Sequence, residues 1–418
     1  MRVLRQVNIS ALRTTARRRW FLRTVWTLGA LATVALCLEL ARQGRDGFQI
    51  DLSVYRDAGL ASLTGATLYS EDFPTTTGLR FIYPPFAALL FAPMAALDVT
   101  ALQLVWIAIN LSLLAWILQT VLARLSAPKP GLLTVALLAP ALLLEPVRSN
   151  FGYGQINLVL MALVLADCLD RTPRKLRGVG IGLAAAIKIT PAAFGLVLLM
   201  RRDHSALGRA AGAFLVTVGV GFLFFPRDSL YFWTSEFFNT DRAGNHAYER
   251  NQAITGLLAR AGVDGIVKDV VWMVLAAAVV SIAAWSAHRF TLSGDHVPAV
   301  AVIALATLLA APIAVTHHWV YAIILVPLLV VPQYRRWRRM LAVATIAFIA
   351  APYDQLPQRG DGFVEMVVRS AIGNAQLFSA AALLVAAYAA ARTPPLPDAP
   401  RVHQESVGAT ASAAGRPA

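Results

Sequence analysis

The chain has 418 residues, 57% of them hydrophobic and only 14% charged, with a mean hydropathy of +0.61. Soluble domains carry roughly 25% charged residues, and a soluble chain of this length divides into roughly two or three domains with polar linkers. Apolar runs recurring from residue 24 to about residue 392 exclude that organisation. The net charge of +14 falls in short basic runs between apolar segments rather than on one face, a pattern of membrane orientation and not of nucleic-acid binding.

Residues 1–23 hold seven arginines and no acid, ahead of the apolar run Val25–Leu40. Arg18-Arg19-Trp20-Phe21-Leu22 resembles a twin-arginine signal. The further apolar runs downstream favour a first membrane helix whose basic flank, residues 1–23, stays in the cytoplasm. Residues 42–80 mix four arginines with five acids, lack the bias of a cytoplasmic loop, and are expected outside. Apolar stretches follow at 83–97, 100–123, 130–146 and 156–170, then the basic run Arg171, Arg174, Lys175 and Arg177. Parity requires that one stretch does not span; 83–97, with Pro84, Pro85 and Pro93, and 130–146, with Pro140, are the candidates. Residues 178–200 lie between that run and Arg201, Arg202 and Arg209. Gly178, Gly180, Gly182 and Pro191 interrupt them, which predicts a hairpin of two short half-helices. Irregular backbone at membrane depth is tolerated where it lines a cavity.

Residues 207–225 then lead out to a loop at 226–267, and 268–287 return to His288 and Arg289. Residues 297–316 lead out to His317 and His318, and 319–332 return to Arg335, Arg336, Arg338 and Arg339. Residues 340–352 lead out to a loop at 353–375, and 376–392 return. The Pro- and Ala-rich tail 393–418 is expected to be disordered in the cytoplasm. The fold expected is an all-α polytopic membrane protein, one domain over 24–392, with about 10–12 transmembrane or re-entrant helices. No internal repeat is visible. Cys37 and Cys168 both lie in apolar segments, where thiols are packing groups.

Four polar clusters map to the outer side. In the first, Asp51 and Tyr55 share a helical face and Asp57 points elsewhere; the pattern alone makes Asp51 a helix cap. The second is Arg80-Phe81-Ile82-Tyr83-Pro84-Pro85, which also fits a simple helix start. The third contains Glu145, Arg148, Asn150, Tyr153, Gly154, Gln155 and Asn157. So polar a patch between apolar helices is costly unless it lines a wet site, although it also fits an ordinary turn with Gly154 at positive φ. The fourth is His317-His318-Trp319, with Tyr321. Adjacent helical histidines point about 100° apart and do not share one metal, so one of them as a donor to an anion is the better reading. Lys188, deep in an apolar stretch, needs an anion, and a phosphate is the natural partner. Snorkelling is the competing explanation. Walker A, dinucleotide and HExxH signatures are absent from the sequence, which disfavours nucleotide-driven chemistry.

In chain order, Asp51–Tyr55, Phe81-Ile82-Tyr83-Pro84-Pro85-Phe86, Gly154-Gln155-Ile156-Asn157-Leu158, Lys188-Ile189-Thr190-Pro191, Asn251-Gln252 and His317-His318-Trp319 resemble glycosyltransferase family 87 of the GT-C superfamily, over about residues 20–390. The resemblance implies a GT-C fold and a polyprenyl-phosphate sugar donor used on the periplasmic side of the plasma membrane. Within the family the chain looks most like members that add α-1,2-mannose to phosphatidylinositol mannosides, and a monomer in the bilayer is expected. It implies neither cofactor nor metal, because the donor is a monophosphate. A β-linked mannosyl phosphate giving an α-mannoside requires one in-line displacement with a single carboxylate base. Asp51 is then the base. Lys188, His317 or His318, and Arg148 stabilise the leaving phosphate, and Tyr55, Tyr83, Gln155, Asn157, Asn251, Gln252 and Trp319 hold sugars. The alternatives are an arabinofuranosyl- or lipomannan-branching transferase of the same family or, from another class, a lipid flippase or transporter.

Overall fold

In the computed structural model, which describes residues 9–239, 244–355 and 363–392, helices are joined by turns, and the nearest approach to a strand is a single bridge between Asn251 and Val315. The predicted tail at 393–418 lies outside the described residues. Helix α1 (Ile9–Asp46) carries the first apolar run and extends back through the arginines from Arg13 on, so the basic flank and the apolar run form one rod. Leu28, Leu31, Val34 and Leu38 on it are more than half exposed, the side-chain placement of a helix that faces lipid rather than a core.

Helices α2 (Ile50–Thr64) and α3 (Pro85–Phe91) lie in or beside the segment expected outside; α3 begins at a proline, whose missing N–H is no loss in a first turn. In α4 (Val99–Arg124), Asp98 caps the helix by accepting from the Thr100 and Ala101 N–H groups. Next come α5 (Pro130–Leu143), α6 (Glu145–Tyr153), α7 (Asn157–Cys168), α8 (Val179–Ile187), α9 (Gly195–Met200) and α10 (His204–Phe224). The segment expected as the loop 226–267 is itself folded, into α11 (Pro226–Thr234) and α12 (Ile254–Arg260). The chain then continues through α13 (Gly265–Leu292), α14 (His296–Ala310), a 3-10 stretch at Thr316–Ile324, α15 (Leu325–Val330), α16 (Arg338–Ala350), α17 (Phe363–Ile372) and α18 (Ala375–Arg392).

Among the described residues, α4, α10, α13 and α18 are each long and apolar enough to cross a membrane. Two further pairs reach that length only around a sharp bend: α5 with α6, at 78°, and Thr316–Val330 with Pro332–Ala350, at 106°. Both stretches suspected of not spanning are indeed short. Helix α3 has seven residues and α5 has 14, against the ~20 that a straight span needs. Pro140 leaves α5 intact; the bend falls at Leu144, one residue before α6.

Residues 178–200 are broken as expected, but not by the glycines. Lys188 is extended (φ −147°, ψ 125°) at the end of α8, and a 3-10 turn at Thr190–Phe194 leads into α9. Gly180 and Gly182 serve packing instead. A Cβ on Gly180 would lie 2.8 Å from the Leu163 carbonyl oxygen, and one on Gly182 would lie 2.4 Å from that of Ala210. Their absent side chains let α8 sit tightly between α7 and α10, the close approach that small residues permit in membrane helices.

Candidate active site

The first turn of α2 is fixed from two sides. Gln103 of α4 accepts from the Gln49 N–H (2.9 Å), and the Gln49 side chain donates to the Phe151 carbonyl of α6 (2.7 Å). Gln49, not Asp51, occupies the cap position, so the cap explanation for Asp51 fails. The Asp51 carboxylate instead turns inward, where its Oδ2 accepts from Gln155 Nε2 at 2.7 Å. Asp57 faces the other way and accepts from the Thr76 N–H and hydroxyl.

Gln155 is delivered by the turn after α6. Gly154 ends that helix at φ +70°, and a Cβ there would approach Leu52 Cβ to 2.6 Å, so both conformation and space require glycine. Trp106 pins the turn by donating to the Gly154 carbonyl (2.9 Å). From the same side chain, Gln155 Oε1 accepts from Tyr55 Oη (3.1 Å) and Asn157 Nδ2 (3.3 Å). Asn157 opens α7, accepts from Lys188 Nζ at 3.2 Å and donates to the His317 carbonyl at 3.1 Å. Tyr55 and Tyr83 share a hydrogen bond between hydroxyls at 3.0 Å, and the Lys188 ammonium lies 5.7 Å from the centroid of the Tyr83 ring.

Asp51, Tyr55, Tyr83, Gln155, Asn157 and Lys188 therefore form one connected polar cluster. Lys188 does not snorkel; its ammonium is held inside by Asn157 and the face of Tyr83. Burial raises the Asp51 carboxyl above its ordinary value, while the Gln155 hydrogen bond and the Lys188 charge pull it back down. Tyr55 is fully buried against Phe91, rings stacked at 4.6 Å, so it positions Gln155 rather than touching a sugar.

The two histidines diverge. His317 packs edge-on against Tyr153 (5.6 Å between centroids), and its Nδ1 is buried with no hydrogen-bond partner among the described residues. His318 lines a small cavity of about 40 Å³ with Asn157, Thr190, Pro191, Phe194 and Tyr321.

Three further expectations need correction. Arg148 does not reach the cluster: its guanidinium donates to the carbonyls of Leu143 and Ile349, at the ends of α5 and α16. The cation on the His317 side is Arg250, whose Nη1 meets Tyr153 Oη at 3.1 Å and Glu145 Oε1 at 3.7 Å. Asn251 and Gln252 are fully buried and committed to backbone. Asn251 Oδ1 accepts from the Ala253 and Ala314 N–H groups, and Gln252 donates to the carbonyls of Glu249 and Gly373. Trp319 is core, 1% exposed, donating to the Ala314 carbonyl and packing on Phe348.

Arg250 and Trp106 are site-supporting residues that the sequence alone does not single out. The only signal for Arg250 is that it precedes Asn251-Gln252. Among the described residues, no three His, Cys, Asp or Glu side chains converge as a metal site. A half-buried carboxylate within the field of a half-buried ammonium is suited to taking a proton from a hydroxyl while an anion departs.

Residues 81–312 match the family model of Glycosyltransferase family 87. A polyprenol-phosphate-mannose-dependent alpha-(1-2)-phosphatidylinositol mannoside mannosyltransferase of Mycolicibacterium smegmatis is 37% identical over 364 residues, 80% of this chain and 82% of its own. A protein of the same description from Mycobacterium tuberculosis is 36% identical over 362 residues, 80% and 84% of the two chains. A Mycolicibacterium smegmatis alpha-(1-2)-phosphatidylinositol pentamannoside mannosyltransferase is 35% identical over 290 residues, 66% and 67% of the two chains. No solved structure matches the chain significantly.

Proposed function

The chain belongs to glycosyltransferase family 87, and from that premise we propose that it transfers mannose from polyprenyl-phosphate mannose to a phosphatidylinositol mannoside, forming an α-1,2 linkage on the periplasmic face of the plasma membrane. The observation that carries this reading is the unbroken run of hydrogen bonds from Asp51 through Gln155 and Asn157 to Lys188. It links a candidate base to a candidate phosphate-binding cation at the distance of two intervening side chains.

In the mechanism that follows, Asp51 takes the proton of the acceptor hydroxyl. Its Oδ2 is occupied by Gln155, and Oδ1 has no protein donor among the described residues, which leaves that oxygen for the incoming hydroxyl. As the new oxygen–C1 bond forms on one face of the mannose, the bond from C1 to the phosphate oxygen breaks on the other. The electron pair leaves with the polyprenyl phosphate, which gains one negative charge. Lys188, bonded to Asn157, opposes that charge, and His318, which lines the cavity with Asn157 and Thr190, is placed to donate to the phosphate; the phosphate is already a good leaving group and needs charge more than a proton. One displacement with one base inverts the anomeric centre.

Sidedness is supported by α7. Its first residue, Asn157, belongs to this cluster, and the chain just beyond its last residue enters the ion pairs of Asp170 with Arg177 (2.9 Å) and Arg201 (2.7 Å). The 12 residues between place the two ends roughly 18 Å apart at 1.5 Å per residue. The arginine-rich end is the one that positive-inside bias assigns to the cytoplasm.

The test uses purified protein in nanodiscs with radiolabelled polyprenyl-phosphate mannose and a phosphatidylinositol mannoside acceptor. Wild type is expected to form product, and Asp51→Asn to lose at least ~10²-fold in rate, the scale for removal of a general base. Product from the corresponding arabinose donor alone would keep the family and change the sugar. Equal rates for wild type and Asp51→Asn would remove Asp51 from the mechanism.

A further inference from the structure

The end of the molecule opposite Asp51 holds a cationic corner that transfer chemistry does not use. Arg177 is paired there with Asp170 and Asp203, Arg201 is held by Asp170 and the Cys168 carbonyl, and Arg209 donates to the carbonyls of Arg177 and Arg174. Arg124, at the end of α4, is different. No carboxylate lies within ion-pair distance of it among the described residues, Asp170 and Asp295 act on it only at longer range, and its Nε is buried without a partner. Next to it, His296 opens α14 with a buried Nδ1 that also lacks a partner, in the field of Arg124, Arg177 and Arg201. Asp170 and Asp203 are already taken up by Arg177 and Arg201, so the buried, unpartnered nitrogens of Arg124 and His296 are costly unless a further anion joins them.

Beside this corner an apolar cavity of about 130 Å³ opens between α14, the 3-10 stretch with α15, α16 and α18, and at its far end it shares Ala304, Leu308 and Tyr321 with the cavity that His318 lines. Its near end is formed by Phe290, Pro298, Tyr334 and Trp337. Phe290 accepts from the Asp295 N–H, Pro298 is two residues beyond His296, and the Tyr334 hydroxyl is buried without a partner. The basic run Arg335, Arg336, Arg338 and Arg339 follows Tyr334 directly. A cationic mouth on a purely apolar hole has the outline of an amphiphile with an anionic head.

We propose that this corner is a binding site for an anionic phospholipid of the leaflet on that side, its phosphate between Arg124 and His296 and one acyl chain in the cavity behind Tyr334. Charge complementarity selects this occupant: a zwitterionic headgroup such as phosphatidylcholine offers the same phosphate but brings its own ammonium in among Arg124, Arg177 and Arg201, whereas an anionic headgroup does not. The donor lipid is the competing occupant, and the experiment separates the two.

Delipidated full-length protein in detergent is titrated with phosphatidylglycerol or phosphatidylcholine of matched chains, and bound lipid is counted by native mass spectrometry. Wild type is expected to retain one phosphatidylglycerol about 10-fold more tightly than phosphatidylcholine, the scale of one charge-assisted contact pair. Arg124→Gln should bring the two lipids to parity and Arg124→Lys should restore the preference. Ala387→Phe, which narrows the cavity, should weaken both lipids. Mannosyl transfer by Arg124→Gln in detergent should match wild type, so failure here is separable from failure of the transferase reading. Equal retention of both lipids by wild type overturns the proposal, as does an unchanged preference in Arg124→Gln. Full displacement of phosphatidylglycerol by inorganic phosphate would reassign the site to a free anion, and displacement by polyprenyl phosphate at equal stoichiometry would reassign it to the donor; either result also overturns it.

Discussion

Asp51 works under opposing influences, and their balance is testable. Burial raises its carboxyl, whereas Gln155 and Lys188 lower it. A base acts only when deprotonated, so activity is present above its value and lost as pH falls through it. Replacing Lys188 by Met removes a lowering influence. The acid limb of kcat/KM should therefore move to higher pH, in addition to any fall in rate from lost stabilisation of the leaving phosphate. A limb that stays in place while the rate falls would mean that Lys188 acts on the donor alone. Asn251→Ala makes the opposite kind of prediction. It strips acceptors from the Ala253 and Ala314 N–H groups, at a cost of about 1–3 kcal/mol for groups left unsatisfied in the interior. Thermal inactivation should move to lower temperature, while KM for both substrates stays at the wild-type value in the folded fraction. A raised KM with unchanged stability would return Asn251 to the binding surface.

These two residues also show what a sequence can and cannot disclose. Lys188, Asn157 and Gln155 stand out because polar groups amid apolar runs need a reason, and in this fold they share one cluster. Asn251 and Gln252 stand out equally, yet their reason is backbone satisfaction in the link between α11 and α12. Pattern alone does not separate a polar side chain that faces a cavity from one that stitches a loop. Arg148 and Arg250 differ in where their guanidinium groups arrive after folding, which no local spacing records.

At the scale of elements, hydropathy locates most helices because length and apolarity are written in composition: α4, α10, α13 and α18 fall where apolar runs predict them. It misplaces breaks. The glycines of α8 look like interruptions, but the helix runs through them and stops at Lys188. Their role gives a prediction with an internal control. Gly182→Ala puts a Cβ 2.4 Å from the Ala210 carbonyl oxygen, a backbone atom that has to move, whereas a Cβ on Gly208 of α10 meets nothing within 4 Å. Overpacking of this kind costs about 1–3 kcal/mol. Gly182→Ala should therefore lower the thermal midpoint and, because α8 carries Lys188 at its end, raise KM for the donor. Gly208→Ala should leave both unchanged or gain slightly from better helix propensity. Equal behaviour of the two variants would show that the fit of α8 against α10 carries no strain.

At the scale of the whole molecule, the arrangement is two polar ends separated by an apolar body. The Asp51 cluster is gathered from α2, the start of α7, the end of α8 and the 3-10 stretch at Thr316–Ile324, elements that arrive from distant parts of the chain. The arginine-rich end is gathered from the end of α4, the loop after α7 and the starts of α10 and α14. Helices α7 (12 residues) and α8 (nine) join these ends without either being long enough to cross a bilayer alone, so the proposed sidedness, with Thr75, near Asp57, outside and Lys175 inside, needs its own test. Single cysteines decide the orientation. With Cys37 and Cys168 replaced by alanine, Thr75→Cys should react with a membrane-impermeant maleimide in intact cells, and Lys175→Cys only after lysis. Both positions are exposed, so access and not burial governs the outcome. The reversed pattern would place Asp51 in the cytoplasm. A lipid-linked sugar on the periplasmic side would then be out of its reach, and the proposed reaction would have to take a donor from the inner leaflet.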